Sequence, residues 1–350
     1  MALLFIDGFD HYATADITRK WTDCNFSTDL DIVTGGRNGG NRLRLCAANQ
    51  YTAPYVFKTA LPASGSTVIL GSAVNFNTQR ADEVWLYKIY LGSTILFTLA
   101  WEATTGRIKV FRGNEAYLFG TTTFACSPNT WYYIEFKAVI HSSTGTYELR
   151  INGDNVLSGS GNTQVAATAT WDGISLWWDG GASQSTKCYF DDLYVCDGSG
   201  SVLNDFLGDC RVDTHFATAD GTTHTFTPLS GTHTENVDDT APDGDTTYNG
   251  STAADDKDTF VTEDFKNTAT AEIKAVQINM MAAKSSPGSS RVCSVVRHSG
   301  TDNDGTSLAV GAESYVDYMQ VLEQNPNGGS PTDWTPTDFN AAEFGYKRVE

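Results

Sequence analysis

The sequence predicts an all-β protein: two β-sandwich (jelly-roll-like) domains with a short helix near the C-terminus. Three observations predict it. Apolar side chains alternate with polar ones at period two along many short segments, the pattern of a strand with one buried face. Those segments are joined by turn sequences, above all Gly92–Ser93 and Asn152–Gly153. The composition, with 32 Gly, 40% hydrophobic, 12% aromatic and only 19% charged residues, suits many strands and tight turns.

In chain order, FIDGFDHY at 5–12 is read as the first strand. It is apolar for too short a stretch, and lacks the basic start, of a signal peptide. Residues 66–76 place Val68, Leu70, Val74 and Phe76 on one face. Strands 84–91 and 94–101 flank the two-residue Gly92–Ser93 loop. Trp85, Tyr87, Ile89 and Leu91 are assigned to one face, and Ile95, Phe97, Leu99 and Trp101 share another. Both faces of this hairpin are apolar, which places it centrally in its sheet. In 131–140, Tyr132, Ile134, Phe136, Ala138 and Ile140 form the core face. In 147–152, Tyr147, Leu149 and Ile151 do. Strands at 106–112, 174–179 and 188–195 complete a two-sheet sandwich. The similar ends, FIDGFDHY and YFDDLYV, are expected to pair and seal the sheet edge.

The polar Asp197–Ser201 stretch marks a boundary, giving domains 1–198 and 199–350. Strands are expected at 210–216, 223–228, 258–263, 271–281, 291–298 and 314–323. Thr335, Pro336 and Asp338 carry the cap, first-position and capping-box residues of a short helix.

The net charge is −19 and is unevenly placed. Residues 1–200 carry 14 basic and 18 acidic side chains, a balance of −4, leaving 9 and 24, or −15, for residues 201–350. Such a surface disfavours nucleic acid. No window is long and apolar enough for a membrane helix, so neither nucleic acid nor membrane is an expected partner. The seven cysteines (24, 46, 126, 188, 196, 210 and 293) form no CxxC pair. Cys188 and Cys196 bracket one strand with ends roughly 26 Å apart and cannot bond each other. Buried thiols and bonds made after release into an oxidising medium both stand as readings.

Glycosidic hydrolysis requires two carboxylates facing one bond, and the Glu-x-Asp-x-Glu spacing by which sandwich glucanases set theirs on one strand face does not occur. Glu135 and Glu148 are lone acids, and Asp191 and Asp192, being adjacent, are expected on opposite faces. No Gly-x-Ser-x-Gly elbow occurs. His215, His224 and His233 recur at nine-residue spacing, which says nothing of convergence. The chain is therefore expected not to be an enzyme and to need no cofactor. Acidic turns offer hard oxygen ligands, with Asp243, Asp245, Asp302 and Asp304 as calcium candidates beside the reading of a solvated loop. Trp131, Tyr133, Trp177 and Trp178 are the candidates for a contact surface or for stacking on sugar rings.

Through WYYIEFKAVI, YELRINGDNVL and YFDDLYV, residues 1–198 resemble concanavalin A-like (laminin G-like) lectin sandwich domains. Residues 199–350 resemble the downstream half of tailed-bacteriophage virion structural proteins. The segments that carry this are NDFLGDCRVDTHFATADGTTHTF, HTENVDDTAPDGDTTYN, DKDTFVTEDF, IKAVQINMMAAK, and SYVDYMQVLEQNPN followed by DWTPTDFNAAEFGYKRV. The second resemblance implies a non-enzymatic structural protein on the virion exterior (neck or collar, tail or fibre, or head decoration), made in the bacterial host cytoplasm. It would act through subunit interfaces with further copies of itself, a trimer among the options, and with other virion proteins. The alternative is a glycan-binding adhesin recognising host surface polysaccharide.

Overall fold

The computed structural model describes residues 2–25, 29–46, 53–76, 83–178, 186–265, 271–311, 313–326 and 332–350. It divides into two compact units, Met1–Val212 and Asp213–Glu350.

The first unit begins with β1 (Leu3–Asp7), β2 (Asp23–Cys24), β3 (Leu30–Thr34), β4 (Asn41–Cys46) and β5 (Tyr55–Lys58). It continues with β6 (Thr67–Phe76), β7 (Glu83–Leu91), β8 (Thr94–Glu102), β9 (Arg107–Arg112) and β10 (Tyr117–Thr121). It closes with β11 (Trp131–Val139), β12 (Gly145–Ile151), β13 (Asp154–Gly161), β14 (Gly173–Trp177) and β15 (Lys187–Asp197). Among the described residues these make a larger sheet, β13-β12-β11-β6-β15-β4-β3 with β1 also on β15, and a facing sheet, β10-β9-β8-β7-β14-β5-β2. The pairs are antiparallel, and the first and last strands do pair, Phe5 opposite Val195 and Asp7 opposite Leu193. The β7–β8 hairpin lies in the middle of its sheet, as its two apolar faces predict. Asn152 (φ 52°) and Gly153 (φ 87°) both take the left-handed conformation that a two-residue hairpin turn demands.

The inward faces meet in an aromatic core. Phe76 stacks on Trp101 at 4.5 Å, Phe97 meets Phe136 at 5.5 Å, and the Tyr87 hydroxyl lies 2.7 Å from Ser72 Oγ across the sheets. Asp7 is fully buried at the end of β1. Tyr12 Oη (2.7 Å) and Trp21 Nε1 (2.9 Å) donate to its carboxylate, and Lys20 Nζ lies 3.2 Å away. Burial alone would raise its pKa, but the Lys20 and His11 charges and the bonds from Tyr12 and from Phe9 N hold it below the usual carboxylate range.

The outer face of the larger sheet does not meet solvent everywhere. Beyond β15 the chain doubles back, and residues 203–212 cover it. Gly208 N donates to Glu135 Oε1 (2.9 Å), Leu207 N to Tyr194 Oη (3.2 Å), and Val212 N to Asp192 Oδ1 (2.9 Å). Gly71 has no side chain where Tyr194 lies over the sheet, since a Cβ there would sit 2.3 Å from the Tyr194 ring. Glu135 and Tyr133, which alternation assigns to an open face, are therefore buried.

The second unit contains β16 (Ala217–His224), β17 (Thr227–Pro228), β18 (Asn249–Gly250), β19 (Lys257–Thr262) and β20 (Val276–Ala282). Then come β21 (Arg291–His298), β22 (Thr301–Asp304), β23 (Leu308–Ala309), β24 (Val316–Leu322) and β25 (Glu343–Arg348). The main sheet runs β16-β19-β25-β21-β22 with β23 on β21, and the β20–β24 ladder packs against it. Val296, Trp334, Phe339 and Phe344 centre the core, with Val276, Ile278 and Leu322 against them. The predicted helix is present at Pro336–Ala341, capped by Thr335 Oγ1, which accepts from Asp338 N at 3.1 Å. Two expected strands fail here: residues 210–216 form none, and 223–228 is broken at 225–226. The central strand β25 was not anticipated.

Candidate functional site

The outer face of the facing sheet carries an ordered group of aromatic side chains. Strand pairing aligns Phe57, Ser175, Lys88, Thr98 and Phe111 in one row across β5, β14, β7, β8 and β9. Tyr55 pairs with Trp177, and Trp85 with Ala100, in the next row. Plain alternation would put Trp85 on the same face as Tyr87. The register slips between them, with Trp85 opposite Ala100 and Tyr87 opposite Leu99, so Leu86 is a bulge residue. The bulge turns Trp85 outward while Tyr87 stays in the core.

Lys88 is 2% exposed. Its Nζ lies 3.1 Å from the Trp85 ring centroid and 4.5 Å from that of Trp177, two cation–π contacts at a desolvated ammonium. Trp177 stacks on Tyr55 (4.6 Å, 25°) and meets Trp85 edge-on (5.7 Å, 83°). Trp177 Nε1 and Ser175 Oγ donate to Tyr90 Oη at 3.2 and 3.1 Å. Burial pushes the Tyr90 phenol up, and those two bonds counter it in part. Trp85 Nε1 donates to the Glu115 carboxylate and Tyr55 Oη to Asp23 Oδ2 (3.1 Å), so two exposed acids stand at the rim. Tyr55, Trp85 and Trp177 remain half-buried. Rings fixed by stacking and by their polar tips offer apolar faces at small conformational cost.

Of the four aromatic candidates, only Trp177 belongs to this group. Trp178 turns inward and is fully buried near Trp101 (6.1 Å). Tyr133 lies under residues 203–212, donating to the Asp192 carbonyl at 3.0 Å with the Arg37 guanidinium 5.3 Å from its ring. Trp131 is half-buried at the start of β11 on the other sheet. Tyr55, Trp85, Lys88, Ser175 and Tyr90 were not foreseen. The available signal was Lys88, the single charge inside the apolar run VWLYKIYL.

Asp191 and Asp192 do not face opposite ways. A register shift between Asp191 and Tyr194, with φ 53° at Asp192, brings both carboxyls to the loop around Arg37. Arg37 N donates to Asp191 Oδ2 (2.7 Å), and the Arg37 side chain approaches Asp192 at 3.6 Å. Burial, and then the Asp192 charge, push the Asp191 carboxyl up to about 8.

The calcium candidates are separately engaged. Asp302 pairs with Arg297 (2.6 Å) and with Lys257, and Asp304 with Lys347 (2.9 Å). Asp243 Oδ1 accepts from Thr247 Oγ1 (2.9 Å), and Asp245 Oδ1 from Tyr315 Oη (3.0 Å). Among the described residues no three or more His, Cys, Asp or Glu side chains are grouped to hold a metal.

No family model matches the chain, and no curated protein does. Solved structures do. The alginate lyase Aly36B, solved with an alginate trisaccharide, is 14% identical, with a TM-score of 0.42 over 55% of this chain and 96% of its own. The endo-β-1,4-glucuronan lyase of the fungus Trichoderma reesei is 11% identical, with a TM-score of 0.38 over 50% and 90%. A carbohydrate esterase of the Shiga toxin-encoding bacteriophage phi24B is 14% identical, with a TM-score of 0.39 over 56% and 100%. These are likenesses of fold at low identity and nothing more. The expectation of a virion structural protein is corrected here. The comparison returns carbohydrate-active enzymes, sialidases among them, where virion structural proteins were expected.

Proposed function

We propose that the first unit is a glycan-binding module and that its ligand lies on the outer face of β5, β14 and β7. The observation that carries this is the group Tyr55, Trp85 and Trp177, three half-buried rings of which Trp85 and Trp177 hold the Lys88 ammonium and Tyr55 stacks on Trp177, with Asp23 and Glu115 at the rim. A pyranose presents an apolar C–H face and an equatorial rim of hydroxyls. The rings match the first, and the carboxylates and tyrosine hydroxyls match the second. The module binds without turning its ligand over. Calorimetric titration of soluble oligosaccharides against the wild type, Trp85→Ala and Trp177→Ala tests the reading. Binding should weaken in both variants, and equal affinity in all three would remove the site.

A further inference from the structure

A second observation, independent of the glycan reading, lies in the Asp213–Glu350 unit. β16 ends at His224, which pairs across the sheet with Asp258 of β19, itself opposite Tyr346 of β25. His233, in the turn just before a short 3-10 stretch, reaches back over this row. Its Nδ1 lies 2.9 Å from Asp258 Oδ2, and its ring centroid is 5.4 Å from that of His224, the planes at 64°.

Asp258 is fully buried and is held from three sides, since Phe226 N donates to Oδ1 (3.0 Å) and Tyr346 Oη to Oδ2 (3.3 Å) alongside His233. Asn249 Nδ2 donates to the His233 carbonyl and to Tyr346 Oη, both at 2.9 Å, which fixes the His233 backbone against the same carboxylate. With Asp258 as acceptor, His233 carries its proton on Nδ1 and leaves its lone pair on Nε2. A buried carboxylate that sets the tautomer and angle of one imidazole, with a second imidazole beside it, is how proteins orient histidine ligands.

We propose that His224 and His233 form a site for a first-row divalent transition metal such as zinc or copper, with Asp258 as the positioning residue and water completing the coordination. The spacing supports it. A metal–nitrogen bond of about 2.0–2.1 Å puts a ligating imidazole centroid about 3.2 Å from the metal, so a tetrahedral pair has centroids about 5.2 Å apart. The observed 5.4 Å is close to that value. Imidazole nitrogen selects zinc, copper or nickel over calcium and magnesium, which take oxygen ligands. With 22 acidic against 8 basic residues in 213–350, a balance of −14, the field draws cations towards this unit. His224 is exposed, so solvent and metal reach the pair.

The test titrates zinc chloride into the full chain by calorimetry, with cupric ion followed by electron paramagnetic resonance. The wild type should bind one zinc per chain and show hyperfine coupling from two imidazole nitrogens with copper. His224→Ala and His233→Ala should each lose the stoichiometric site while keeping the wild-type circular dichroism. Asp258→Asn should weaken zinc by about 10–100-fold. Calcium in excess should not compete. Failure of the wild type to bind zinc would overturn the proposal. So would undiminished binding in both histidine variants, which would assign the metal to other ligands. The two histidine variants keep the test decisive if Asp258→Asn does not fold.

Discussion

Replacing Tyr194 by Phe tests whether residues 203–212 are a fixed part of the first unit. In the wild type the Tyr194 hydroxyl donates to Glu135 Oε1 at 2.5 Å and accepts from Leu207 N at 3.2 Å. Glu135 is fully buried, and its other oxygen, Oε2, has no hydrogen-bond partner among the described residues. Phe would leave that carboxyl with Gly208 N as its donor. A buried acceptor deprived of a donor costs about 1–3 kcal/mol. For a unit of this size, each kcal/mol moves Tm by about 2–4 °C, so the expected fall is roughly 2–12 °C. Urea denaturation measures the loss directly, and limited proteolysis should show faster cleavage within 203–212. Tyr117→Phe, at a ring 56% exposed, is the control and should stay within about 0.5 kcal/mol. A Tyr194→Phe effect no larger than that control would refute the account of the covered face.

Other outcomes follow from the same structure. Asp191, raised from 3.8 to about 8, keeps a proton in the folded state that the unfolded chain releases. Its contribution is constant below about pH 4, then destabilises progressively up to about pH 8, by at most about 1.4 kcal/mol per pH unit. Melting curves of wild type and Asp191→Asn across that window should converge in acid and diverge above it, and parallel curves would count against the assignment. Cys126 is buried, and burial pushes its thiol up to about 12. Under native conditions a thiol reagent should therefore react first with the half-exposed Cys46 and Cys210, and with Cys126 only on unfolding. Rapid native labelling of Cys126, seen by peptide mapping, would contradict this.

Much of the fold was legible because period-two alternation and turn chemistry are local signals. The Gly92–Ser93 and Asn152–Gly153 hairpins, the closing pair of first and last strands, and the Thr335-capped helix all follow from short stretches of sequence. What was not legible depends on contacts remote in sequence. Tyr133 and Glu135 alternate as solvent-facing residues do, and their burial comes from residues some seventy positions later. The bulges at Leu86 and Asp192 each break the alternation by one residue, turning Trp85 outward and bringing two adjacent aspartates to one loop. β25 escaped notice because Glu343, Lys347 and Arg348 put three charges into its six residues, unlike the apolar pattern by which a central strand is read. The candidate site was partly legible, since Trp177 was among the sequence candidates, while its partners Trp85 and Lys88 on β7 and Tyr55 on β5 are joined to it only by the sheet register.

The central claim is that a glycan lies on the outer face of the facing sheet. The most direct measurement is the indole Nε1–H resonances of Trp85 and Trp177, assigned by single substitution, during titration with soluble polysaccharide fragments. Both should shift together and saturably with the ligand, while the resonance of Trp178, buried behind the same sheet, stays in place. Binding that moves neither Trp85 nor Trp177, or shifts only Trp131 on the other sheet, would contradict the account.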